Sequence, residues 1–127
     1  MIEITESIIK DFIKENDFEF SSTHNKLSLP VINRIYKKMK NGIKFEDIKV
    51  SSNFIIDGHH RYISSKLAEI KIGNINYPRS SATIEYSWNM VKFVNEEWDR
   101  IDKTQYLNEL DAKYNDIPLK QLIEITK

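Results

Sequence analysis

The stretch "NFIIDGHHRYISSKLAEI", residues 53–70, constrains the chain more than any other. Phe54, Ile55 and Ile56 form a continuous apolar run of the kind found in a strand covered on both faces, so an inner strand is expected over 54–56. Asp57-Gly58 interrupts it. Ile63, Leu67 and Ile70 then recur at helical spacing, so the segment reads strand, tight turn, helix to about Glu69. Gly58 permits the tight turn, and Asp57 is a good N-cap for the helix that follows. A helix starting there points free N–H groups and the positive end of its dipole outward, and His59, His60 and Arg61 add cationic donors at the same end. That arrangement suits an oxyanion, and the planar fork of Arg61 grips phosphate oxygens in two places. The plainer reading is a capped helix with polar surface histidines, whose side chains diverge by about 100°.

The flanking sequence supplies the frame. Thr5 as N-cap and the stripe Ile8, Ile9, Phe12, Ile13 predict a helix over 6–15. "NDFEFSSTHNKLS" reads as a short strand or loop. From Pro30, the residues Ile32, Ile35, Tyr36 and Met39 fall on one helical face, with Arg34, Lys37, Lys38 and Lys40 on the other and Asn41-Gly42 as a stop. "FEDIKVSS" predicts a strand that turns through Ser-Ser-Asn into "FII". "GNINYP" and "WNMVKFV" read as further strands, "RSSATIEYS" as a loop, and the tail as two short helices broken near 116–118. The expectation is an α+β fold: one domain over 1–127, a small mixed sheet flanked by helices, and a C-terminal helical extension over about 103–127.

Composition narrows the function. With 127 residues the chain suits a single domain with a real core. There is no cysteine, so thiolate chemistry is out and a metal would need His, Asp or Glu. No apolar run approaches a membrane span, and "MIEITESIIK" lacks the pattern of a secretory signal. The cytoplasm is the expected compartment, and an effector exported by a signal-independent route would have the same composition. Net charge is zero, which argues against indiscriminate coating of nucleic acid. The distribution is uneven: residues 26–71 carry ten Lys or Arg against four acids, and residues 95–127 carry five against eight. A positive field is therefore expected around the His-His-Arg turn.

"IIDGHHRYISSKLA" resembles the phosphate-binding strand–turn–helix of the ParB/sulfiredoxin superfamily, whose core is Gly-x-x-Arg followed by a small residue. Gly58 and Arg61 match, and Ser64 and Ser65 stand where the small residue belongs. The upstream order (helix 30–40, strand 47–50, strand 54–56) agrees, and the resemblance covers about residues 20–95. It implies a ParB/Srx-like fold with a phosphate held by Gly58, His59, His60, Arg61 and Ser64. The superfamily includes CTP-binding partition proteins, sulfiredoxins, free-serine kinases and nuclease-like bacterial toxins. The missing cysteine removes the sulfiredoxin reaction, and residues 95–127 leave no room for the helix-turn-helix and dimerisation domains of a full partition protein. The "DGHxR" form is similar to the serine-kinase branch, where the motif aspartate takes part in phosphoryl transfer together with an acid nearer the N-terminus; Glu19 is the candidate, with Ser21 beside it.

Three functions follow. In the first, an NTPase or phosphotransferase binds a nucleotide (ATP, ADP or CTP) at the turn, with Asp57 orienting a nucleophile or holding Mg²⁺ and a histidine stabilising charge. In the second, a nuclease or toxin cleaves DNA or RNA with His59 or His60 as general acid or base, and a toxin would bring a partner protein. In the third, the chain is a catalytically silent nucleotide-binding module. His24 precedes the basic helix and can reach the same cleft, where it could join Asp57 and a motif histidine around a metal. No membrane partner is expected.

Overall fold

The computed structural model describes residues 3–127. Helix α1 (Glu6–Glu15) begins at the expected cap, where the Thr5 hydroxyl oxygen accepts from the Ile8 N–H at 3.3 Å. Ile9 of its stripe is fully buried, and Ile8 and Ile13 pack against the same core. After β1 (Lys26–Ser28), the Ser28 hydroxyl accepts from Val31 and so caps α2 (Leu29–Lys40), with Pro30 in the first turn where its missing N–H costs nothing. Ile32, Tyr36 and Met39 are buried along α2, which stops at Asn41-Gly42 with Gly42 at φ +84°.

β2 (Ile48–Ser51) and β3 (Phe54–Asp57) form an antiparallel hairpin with Val50 opposite Ile55. α3 (His59–Leu67) follows after one residue and packs on α2. β4 (Asn74–Asn76) joins the far side of β2 in parallel, giving the order β3-β2-β4. β5 (Lys92–Val94) pairs in parallel with β1, Leu27 opposite Phe93, as a separate two-stranded sheet. The class is α+β, as expected. Leu27, Ile32, Ile48, Ile55, Ile63 and Phe93 belong to one buried cluster that joins both sheets to the helices. Ile55 alone, with no surface left exposed, contributes about 1.5–3 kcal/mol by leaving water. A smaller cluster of Ile43, Ala112 and Leu122 seats α4 (Ile101–Tyr114) and α5 (Leu119–Thr126), with the break at 115–118 as expected.

Four expectations are corrected. "FII" is not a doubly covered inner strand: β3 lies at the edge of its sheet and only Ile55 is buried. Its outer side meets a single bridge, in which the Ser21 N–H donates to the Asn53 carbonyl at 2.7 Å and the Ile55 N–H to the Ser21 carbonyl at 2.9 Å. α3 ends at Leu67, so Ile70 falls outside it and stays exposed. "WNMVKFV" opens with a 3-10 turn (Trp88–Met90) because the buried Trp88 indole turns inward to donate to the Phe20 carbonyl at 2.7 Å. Lys38, assigned to the solvent side of α2, is 4% exposed, with its ammonium 2.7 Å from Asp111 on α4. Among the described residues no helix is long and apolar enough to cross a membrane.

Candidate functional site

Gly58 sits at φ +99°, and a Cβ there would come within 2.7 Å of both Arg61 Nη2 and Ile48 Cγ2. Only glycine fits, and it is the N-cap of α3. Asp57 therefore does not cap the helix. It stands one position too early, still paired in the hairpin opposite Lys49, with its side chain exposed. No side chain caps α3. The Tyr62 N–H donates to the Gly58 carbonyl at 2.8 Å, and the N–H groups of His59, His60 and Arg61 lie ahead of that first helical bond.

The two histidines are structural as well as polar, which overturns the plain-surface reading. His59 is 3% exposed, and its Nε2 accepts from the Thr23 N–H at 3.0 Å. The Thr23 hydroxyl, also 3.1 Å from Nε2, donates to the Ile55 carbonyl at 2.7 Å. His60 Nε2 accepts from the Ser28 N–H at 3.0 Å. Each ring uses Nε2 as acceptor, so each neutral imidazole carries its proton on Nδ1. Burial pushes the His59 pKa down to about 3, with His24 and His60 adding to the effect. Burial also pushes His60 down to about 4, against the upward pull of Asp99. Both are neutral donors at pH 7. His24 stacks on His59 with centroids 3.9 Å apart, and burial lowers its pKa while Asp57 opposes.

Arg61 has an unusual environment. Its Nε is buried without an acceptor, and its one hydrogen bond is a long 3.4 Å contact from Nη2 to the Asp47 carbonyl. Among the described residues it forms no ion pair, although Arg34 and Arg100 do. A half-buried guanidinium normally has an anionic partner, because the uncompensated charge is costly.

These groups meet at a cavity of about 390 Å³ that brings His24, Asp57, Gly58, His59, His60 and Arg61 together. Its opposite wall, which sequence reasoning missed, comes from the tail: Trp98, Asp99, Lys103 and Leu107. Trp98 stands edge-on to His60 at 5.3 Å. Asp99 is held between Lys103 at 3.2 Å and Arg34 at 3.4 Å, and Arg34 also pairs with Glu97. With Lys26–Glu96 and Lys38–Asp111, these pairs neutralise much of the positive field expected around the turn. The aromatic and acidic run "NEEWDR" was the available signal, since it supplies the acids that the basic segment lacks.

Three proposed ligands fall outside the cavity. Ser64 is fully buried and its hydroxyl donates to the Ile32 carbonyl at 3.1 Å, because one turn into α3 its face is already turned to α2. Glu19 lines a separate cavity of about 360 Å³ with Phe20, Tyr62 and Lys66. Ser21 is occupied in the backbone bridge to β3. Among the described residues no three His, Asp or Glu side chains gather in a metal-binding group, so His24, Asp57 and a motif histidine do not form one. The exposed Asp57 carboxylate does fit a Mg²⁺ shared with ligand phosphates, since that ion needs only one or two carboxylates from the protein. The chain matches no protein-family model, and no curated protein or solved structure matches it.

Proposed function

We propose that the chain binds the phosphate of a nucleotide at Gly58–Arg61 and hydrolyses or transfers it, in the manner of the ParB/Srx-like proteins its motif resembles. The observation that carries this reading is Arg61: a guanidinium with a buried, unpartnered Nε and no carboxylate, beside an uncapped helix N-terminus. An oxyanion supplies what both lack. The hairpin-then-helix order of β2, β3 and α3 accords with the resemblance.

The roles follow from the hydrogen bonds. His59 and His60 have their Nε2 lone pairs engaged by backbone N–H groups, so they serve as Nδ1–H donors and rigid spacers and not as bases. Asp99 is held by Arg34 and Lys103, so the proton-accepting groups on the cavity wall that no ion pair engages are Asp57 and His24. Arg61 and Lys103 balance Asp57 and Asp99 in formal charge, so the helix N-terminus and the neutral donors favour the anion. Mg²⁺ bound through Asp57 would supply further neutralisation of phosphate charge.

Calorimetric titration of ATP, ADP and CTP, with and without Mg²⁺, tests the reading on the wild type and on Arg61→Ala. The variant should fold, with stability changed by no more than about 1 kcal/mol, and lose binding by at least tenfold. An Arg61→Ala protein that binds as the wild type does would refute the proposal. Binding without turnover would leave a silent nucleotide-binding module.

A further inference from the structure

The cavity at the motif does not end at Arg61. A second void of about 160 Å³ shares Ile35, Arg61, Asp99 and Leu107 with it. A third, of about 340 Å³, shares Phe45, Arg61, Leu107 and Asp111 with the second. Arg61 and Leu107 line all three, which sets the voids side by side as a trough from the start of α3, past a guanidinium whose Nε has no acceptor, to Tyr114 on α4. Its far section is walled by Phe45, Leu107, Leu110 and Tyr114, with Glu46, Asp111 and Lys113 as the polar groups. Leu110 and Tyr114 are 43% and 57% exposed, so apolar surface is left facing water where the trough opens.

We infer that this far section seats the nucleoside half of a mononucleotide whose phosphates lie at Gly58–Arg61. The inference rests on the phosphate reading above and extends it to the rest of the ligand. Three features point the same way. The arginine that would hold the phosphate also borders the apolar section, so one ligand reaches both without a gap in protein contact. The apolar section, at about 340 Å³, lies within the range of small-molecule sites, and its aromatic residues offer flat faces against which a base stacks. Glu46 and Asp111 accept hydrogen bonds, which matches ribose hydroxyls and the amino group of adenine, cytosine or guanine.

The same carboxylates argue against a polynucleotide. A continuing strand brings a phosphate for every base, and each normally needs a Lys or Arg. Along this trough the strand would meet Asp57, Asp99, Asp111 and Glu46, and of the five basic side chains there Arg34, Lys38 and Lys103 are already engaged by Asp99 or Asp111, which leaves only Arg61 and Lys113 among the described residues for its phosphates. Asp99 and Asp111 are paired with basic residues, and Glu46 and Asp57 have no ion-pair partner among the described residues. A mononucleotide keeps its charge at the Arg61 end and places its uncharged half beside the acids.

The test compares inorganic tripolyphosphate, ribose 5-phosphate, the common nucleoside triphosphates and a single-stranded oligonucleotide, each titrated into wild type, Tyr114→Ala and Arg61→Ala. At least one nucleoside triphosphate should bind about tenfold tighter than tripolyphosphate, the gain expected from a stacked base. Tyr114→Ala should remove most of that gain and leave tripolyphosphate affinity unchanged, and Arg61→Ala should weaken both. Equal affinities for tripolyphosphate and every nucleotide, with Tyr114→Ala silent, would overturn the base site and leave the phosphate reading standing. An oligonucleotide that outcompetes the mononucleotides would overturn it in favour of nucleic acid. A wild type that binds none of the phosphates would sink the phosphate reading and this inference together.

Discussion

Acidification from pH 7.5 to pH 5 should destabilise this protein, and the two motif histidines set the size of the effect. An imidazole in an unfolded chain takes up its proton near pH 6.5. In the folded chain His59 waits until about pH 3 and His60 until about pH 4, because His59 is buried and His60 half-buried, each with Nε2 accepting from a backbone N–H. Throughout that window the unfolded state binds more protons, so stability is complete above pH 6.5 and falls as the pH falls. One pH unit of such delay is worth about 1.4 kcal/mol per group. Between pH 7.5 and pH 5, each histidine therefore costs about 2 kcal/mol and the pair about 4 kcal/mol, a large share of the roughly 5–15 kcal/mol typical of a domain. His24, whose pKa is also lowered, adds in the same direction. Urea denaturation at the two pH values gives the difference directly. His59→Gln/His60→Gln, with an amide oxygen in place of each Nε2, should abolish most of the pH dependence. A wild type equally stable at pH 7.5 and pH 5 would show that the two rings are not held neutral and that the Thr23 and Ser28 bonds are absent in solution.

Asp57→Asn should leave stability within about 0.5 kcal/mol, because the side chain is exposed and caps nothing, yet lower Mg²⁺-dependent nucleotide turnover at least about a hundredfold; full activity in a steady-state assay would remove Asp57 from the chemistry. Gly58→Ala should destabilise by at least about 1–2 kcal/mol from backbone conformation alone, with phosphate binding lost as Arg61 and Ile48 are pushed aside. Thermal denaturation and titration read both effects. Ser64→Ala should cost about 1 kcal/mol through the lost bond to Ile32 and leave nucleotide affinity unchanged, whereas a large loss of affinity would return Ser64 to the site.

Local signals carried most of the fold. Thr5 and the Ile9 stripe define α1, Pro30 and Asn41-Gly42 bracket α2, and the turn at Gly58 starts α3, since caps and periodicity act within one or two turns of chain. The failures are tertiary. Nothing near Lys38 announces that Asp111 will bury it, and nothing near Trp88 announces the Phe20 carbonyl that bends a strand into a 3-10 turn. The site divides along the same line. His59, His60 and Arg61 were legible because the motif is contiguous, but Trp98, Asp99 and Lys103 reach it only through the pairing of β1 with β5 and the seating of α4. Ser64 misled because the motif pattern gives a position and not the face it occupies.

Ser28 gives this architecture a temporal order. Its N–H donates to His60, its hydroxyl oxygen accepts from Val31, and the same hydroxyl donates to the Glu96 carbonyl at 2.6 Å. One small residue thus ties the start of α2 to the start of α3 and to the segment that leads into α4. The tie to Val31 closes within one turn of helix, and the tie to His60 spans 32 residues. The third waits for β1 to find β5, Lys26 against Lys92, with the whole hairpin, α3 and β4 lying between. Closing so long a loop carries most of the entropy of assembly and is the slow kind of contact to form. On the ribosome the motif therefore emerges and turns into its helix while the wall that faces it is still unmade. The cavity at the motif is completed only once residues 98–107 have been made and seated against it.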